Sequence, residues 1–163
     1  VVQILAFAYG AFIVGVIGFQ LALIAGAPWG RLTQGGTHSG ALPTSGRLAA
    51  GASIVVLAAL GLAILSQVGS GPDWPRWTGW VAAGVQALVF AANCATRSAP
   101  ERKLWAPITG VMLALALSVM VLACCRGERQ VLLRFDPDGT LALAGLSERE
   151  PEIDLLDTPA FPI

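Results

Sequence analysis

Apart from its carboxylates, this 163-residue chain has one histidine and three cysteines as metal ligands or strong nucleophiles. His38 is followed by Ser39. Such a pair works as a nucleophile only when a third group orients the imidazole and donors await an oxyanion, and the sequence supplies neither. One imidazole excludes a bis-histidine haem within a single chain. Cys124 and Cys125 are adjacent and Cys94 stands alone, so there is no C-x-x-C pair for redox or zinc chemistry. About 20 residues of helix, roughly 30 Å, separate Cys94 from the other two, and a disulfide needs Cα atoms within about 7 Å. Cys124 and Cys125 before Arg126 suit either lipid acylation or a lipid-tolerant helix end. Gly35 and Gly40 have the spacing of a phosphate loop, but Ala41 and Leu42 stand where a lysine and a hydroxyl are required. No catalytic set, metal site or cofactor is expected.

The polar side chains that remain lie in long apolar stretches: Gln3, Tyr9 and Gln20, then Ser53, Ser66 and Gln67, then Gln86 and Asn93, and finally Thr109 and Ser118. Gln86 is central in its stretch. Asn93 lies seven residues on and shares its helix face. Gln86 and Asn93 are candidate intramembrane contacts. They serve either as the polar lining of a substrate site or as interhelical hydrogen bonds, worth about 0.6 and at most ~2 kcal/mol in lipid.

The elements carrying these groups follow from where the charges are missing. Hydrophobic residues make up 55% of the chain, charged residues 12%, and mean hydropathy is +0.70. That is too little charge for the polar skin of a soluble domain. Ten basic and ten acidic residues cancel, which leaves no net charge to attract nucleic acid. No charge occurs in 1–30, 48–72, 77–96 or 104–125. Each gap is long enough for a helix to cross ~30 Å of hydrocarbon. None shows the alternation of a barrel strand. The expected fold class is an all-α membrane protein, a four-transmembrane-helix bundle with spans at about 3–25, 48–68, 78–97 and 104–124. Residues 1–125 form the membrane domain and 126–163 a polar, acidic tail. The first span has no basic n-region and exceeds an h-region in length, so it reads as a retained helix. Trp29, Trp74, Trp77, Trp80 and Trp105 all fall near span ends, where amphipathic rings favour the interface.

With four spans, the first and third loops share one side, carrying Arg31, Arg47, Arg97, Arg102 and Lys103. Arg76, Arg126, Arg129 and Arg134 lie near helix ends on the other. The positive-inside rule then places the first and third loops in the cytoplasm, by one residue. No span holds a charged residue, so the intramembrane carboxylate on which proton-coupled exporters rely is not expected. Small residues at every fourth position (Ala11 and Gly15; Ala83, Ala87, Ala91 and Ala95; Gly110, Ala114 and Ser118) suit close helix packing. They suggest that the third and fourth spans form a hairpin along these stripes.

The first loop, 26–47, is long and rich in glycine, and is either a ligand-binding or partner-binding loop, as long loops often are, or a re-entrant or surface turn that covers the bundle. In the tail, Asp136-Pro137-Asp138-Gly139 between Gln130–Phe135 and Thr140–Leu143 predicts a β-hairpin turn. The following acid-rich residues read as extended or disordered.

Two segments carry a resemblance. One runs Gly26, Ala27, Pro28, Trp29, Gly30 and on through Gly35, Gly36, His38, Gly40, Leu42 and Pro43. The other comprises Asn93, Arg97, Ser98, Glu101, Arg102, Leu104, Trp105 and Pro107. Together, over about residues 1–125, the chain resembles a family of small four-helix bacterial inner-membrane proteins. That resemblance implies the fold and a bacterial inner membrane, and it implies no activity. It marks Trp29, Gly36, His38, Pro43, Asn93, Arg97, Glu101 and Arg102 as a candidate partner or ligand face on one side of the membrane, with Glu101 paired to Arg97 or Arg102.

The leading functional expectation is a non-enzymatic accessory, assembly or structural subunit, with the lipid bilayer and other membrane subunits or a second copy of itself as partners. The alternative is an oligomeric transporter or channel for a small neutral or hydrophobic molecule. A membrane enzyme using His38 in the glycine-rich loop is the third.

Overall fold

The computed structural model describes the backbone over residues 1–132 and the side chains over residues 1–125. Four α-helices follow one another: α1 (Val2–Ile24), α2 (Thr44–Ser66), α3 (Arg76–Ala95) and α4 (Ala99–Leu132). Two short 3₁₀ turns, Gly30–Leu32 and Gln34–Gly36, lie between α1 and α2. All four helices are long and apolar enough to cross a membrane, and the chain is a multi-pass integral membrane protein. The compact four-helix unit is Val1–Cys124.

Local signals set the helix ends. α1 stops at Gly26, whose φ of 96° is costly for a residue with a Cβ. The Ala27 amide bonds to the Ala22 carbonyl and the Gly26 amide to Leu23, which satisfies the last-turn carbonyls. Gly69 (φ 71°) does the same for α2, with Ser70 bonded back to Leu65 and Gly69 to Ser66. α4 starts earlier than expected, at Ala99 rather than 104. The reason is a cap that the charge pattern hides. The Ser98 hydroxyl accepts from the Glu101 amide at 3.4 Å, and Pro100 falls in the first turn, where its missing N–H is harmless. α4 also runs to Leu132, so Gln130–Leu132 of the expected hairpin strand are helical. The rest of the hairpin and the acidic segment lie outside the described residues.

The core is a seam of Val2, Ala6, Tyr9 and Ile13 from α1, Leu60, Ala63 and Ile64 from α2, Ala82 and Ala83 from α3, and Met112, Ala116, Val119 and Met120 from α4. Each set recurs at helical spacing, so one stripe of each helix faces inward. Many other large apolar residues, Ile4, Val14, Val55, Leu88 and Val121 among them, are exposed on the protein surface, as lipid-facing positions should be. Lipid is as apolar as leucine, so contact between helices rests on close fit. A Cβ on Gly61 would lie 3.3 Å from Ile13 Cγ2, and one on Gly110 would lie 3.0 Å from the Phe90 ring.

The small-residue stripes are only partly used. Ala83 is buried and Gly110 meets Phe90, but Ala11, Gly15, Ala91, Ala95, Ala114 and Ser118 are exposed. On α4 the inward face is instead Thr109, Met112, Ala116, Val119 and Met120.

Candidate functional site: an interhelical cavity under the first and third loops

The 3₁₀ turns of the first loop lie across the α3–α4 connection. Gly30 is buried, and its amide bonds to the Gly40 carbonyl at 3.0 Å. A Cβ on Gly30 would sit 2.7 Å from the carbonyl oxygens of both His38 and Gly40, so only glycine fits the loop's crossing point. Gly36, at φ 69°, presses against Ser98, whose hydroxyl donates to the Arg31 carbonyl at 3.2 Å. The Trp105 indole N–H donates to the Leu32 carbonyl at 2.6 Å. Gln34 Nε2 reaches the Gly46 carbonyl at 2.9 Å, and Arg47 Nε the Leu42 carbonyl at 3.0 Å. Phe19 ties α1 in, stacked on Trp29 at 5.6 Å and edge-on to Trp105 at 4.8 Å. Aromatic pairs at such distances add about 0.5–1.5 kcal/mol beyond the area they bury.

Beneath this cover lies a cavity of about 360 Å³, with walls from all four helices. Val16, Leu57, Leu60, Val89 and Met112 make it apolar. Gln20, Thr33, Ser53, Gln86, Asn93, Glu101 and Thr109 bring polar atoms to it, and Phe19 and Trp105 bring rings. A few polar groups in an apolar concavity of this size is the usual make-up of a small-molecule site. A second, shallower cleft of about 460 Å³ opens along α1 and α4, lined by Ala8, Ala11, Phe12, Gly15, Val16, Trp105 and Ile108. Val16 and Trp105 line both spaces. The exposed Ala11 and Gly15 therefore form the floor of an open apolar cleft.

Two polar groups in the cavity differ sharply. Gln86, 2% exposed, is bonded at both ends of its amide: Nε2 donates to the Thr109 carbonyl at 3.3 Å, and Oε1 accepts from the Tyr9 hydroxyl at 3.4 Å. It links α1, α3 and α4 and also lines the cavity. Glu101 is 8% exposed. Among the described residues the donor to its carboxylate is the Thr96 hydroxyl, at 2.9 Å to Oε2. Every fully buried side-chain oxygen among the described residues has a partner, so Oε1 retains accessible surface.

The sequence-marked face divides into two groups. Gly36, Asn93, Glu101 and, through Phe19, Trp29 are drawn together around the cavity and its cover. Asn93 spends its amide on the Val89 carbonyl of its own helix, at 2.8 Å. His38 bonds its neighbour, with Nδ1 2.9 Å from the Thr37 hydroxyl, and does not line the cavity. Pro43 is exposed at the start of α2, and Arg97 is exposed. Glu101 and Arg102 both turn to Thr96, Arg102 Nη1 to its carbonyl at 2.9 Å. The expected ion pair is replaced by a shared threonine. Phe19, Tyr9, Ser98 and Thr96 were not on the expected face. Only Ser98 has a sequence signal, the S-x-x-E spacing to Glu101 before an apolar run.

Cys94, Cys124 and Cys125 are free and exposed. No group of three or more metal-ligating side chains occurs among the described residues. Comparison with protein families, curated proteins and solved structures returns no match for this chain.

Proposed function

We propose that this protein binds a small, largely apolar molecule between its helices and moves it within or across the membrane. The carrying observation is the cavity lined by Gln86, Asn93 and Glu101 with an apolar cleft beside it, sharing Val16 and Trp105. The cleft gives a hydrophobic solute a lateral route from the bilayer. The polar groups at the cavity then orient one end of it. The reading is non-enzymatic. Following the resemblance of residues 1–125, we assign the protein to a bacterial inner membrane, with the first and third loops cytoplasmic.

A second reading, an accessory or assembly subunit, draws on the exposed small residues Ala91, Ala95, Ala114 and Ser118, which allow another helix to approach closely. Binding separates the two readings. In lipid nanodiscs, neopentylbenzene is titrated while the indole N–H signals of the five tryptophans are followed by NMR. Substitution to Phe assigns each signal. A saturable shift confined to Trp105 and Trp29, which both pack on Phe19, is expected. Equal drift of Trp74 and Trp77 would mean bulk partitioning and would defeat the proposal. Gly15→Leu fills the cleft, where a Cβ meets nothing within 4 Å, and is expected to slow the appearance of the Trp105 shift.

A further inference from the structure

We propose that the ligand of this cavity is a lipophilic organic cation, with Glu101 as its counter-charge. The inference rests on the binding reading above and specifies its chemistry.

Glu101 is 8% exposed and lines an apolar cavity, and buried acidic groups are ordinarily matched by an opposite charge or several hydrogen bonds. Here the described side chains supply one bond, from Thr96 to Oε2. Basic residues are plentiful in the same loops, yet they do not neutralise Glu101. Arg102 is turned to the Thr96 carbonyl and Arg47 to Leu42. Arg31, Arg97 and Lys103 are exposed, so water and salt screen them from the carboxylate. Glu101 is therefore an acidic group of the cavity lining that no basic side chain pairs with among the described residues, held by the first turn of α4 and the Thr96 hydroxyl alone.

The surroundings of that charge favour an organic cation over a hydrated metal ion. Phe19 and Trp105 line the same space, and aromatic rings attract alkylammonium groups. Val16, Leu60 and Met112 among the walls suit a hydrocarbon body, and Glu101 is the one carboxylate in the lining, fewer than a hard divalent ion usually takes. The volume of about 360 Å³ accommodates a benzyl-sized group with a substituted ammonium.

Two probes of one shape isolate the charge: benzyltrimethylammonium and its carbon isostere neopentylbenzene. Both are titrated into the protein in nanodiscs, with the Trp105 indole signal as readout, for the native chain and Glu101→Gln. The substituted amide keeps the size of the side chain and an acceptor for Thr96, and intact folding is checked by unchanged signals of Trp74, Trp77 and Trp80. The expected result is at least tenfold weaker cation binding in the variant, about 1.4 kcal/mol, with neopentylbenzene unaffected. Glu101→Asp is expected to restore part of the loss. If the cation binds both proteins equally, or fails to move Trp105 where neopentylbenzene does, the inference falls and the binding proposal stands. If neither probe moves Trp105, both fall.

Discussion

Gln86 and Glu101 line the same cavity and are both more than nine-tenths buried, yet they are held in opposite ways. Gln86 sits between Tyr9 and Thr109, with a donor and an acceptor each matched across helices. Such a group contributes to assembly first, with one amide N–H left for a ligand. Glu101 has one threonine hydroxyl on one oxygen and an accessible second oxygen. Its residual bonding capacity is not spent among the described side chains, which is what a recognition group requires. Burial by itself therefore separates neither role; the count of partners does.

The comparison can be broken most severely at the cover over Glu101. Gly30→Val puts a branched side chain 2.7 Å from two backbone oxygens that cannot rotate away. A loss of about 3 kcal/mol is expected, measured by reversible unfolding in mixed micelles, together with loss of ligand-induced shifts at Trp105. A cost below about 0.5 kcal/mol would mean that the first loop does not hold its crossing point.

Gln86→Leu tests the assembly role. It leaves the buried Tyr9 hydroxyl without its acceptor, and about 1–2 kcal/mol of destabilisation is expected. In the double variant Tyr9→Phe with Gln86→Leu the orphaned hydroxyl is gone, so part of that loss should return. If the two losses simply add, the hydrogen bond between them carries no coupling. Trp105→Phe removes the indole bond to Leu32 while keeping a ring beside Phe19. A cost of about 1 kcal/mol is expected, with faster hydrogen exchange at amides of the first loop.

The smallest effects mark what lies outside the comparison. Asn93→Leu removes a side chain bonded to its own helix and should change stability by less than about 0.5 kcal/mol. A reduction in ligand affinity without such a change would place Asn93 with Glu101 rather than with Gln86. His38→Ala, which loses a bond to the adjacent Thr37, is expected to leave both stability and binding within error; abolished binding would reinstate the histidine as a site residue.

Much of this was legible in the chain. Long charge-free stretches interrupted by Gly26, Pro28, Gly69 and Pro72 place α1, α2 and α3 within about four residues of the expected ends. The reason is that a hydrocarbon layer imposes both a minimum length and an absence of charge. The even number of reversals puts the first and third loops on one side, and they meet through Ser98 and Arg31. The Ser98–Glu101 cap was also present in the residues. Its consequence was not, because a charge beside an apolar run marks a span's edge by default. The cap pulls α4 back to Ala99 and turns that edge charge into a buried wall of the cavity.

Composition and spacing thus determined that the chain crosses a membrane, how many times, and which polar groups travel with each helix. Which face of each helix turns inward was decided only by tertiary structure. Outward and inward faces are equally apolar in lipid, so hydrophobicity does not distinguish Val111, Ala114 and Ser118 from Met112, Ala116 and Val119. Close fit and hydrogen bonding make that choice. The same choice leaves Gln86 matched, leaves Glu101 facing the cavity, and keeps the cleft between α1 and α4 open.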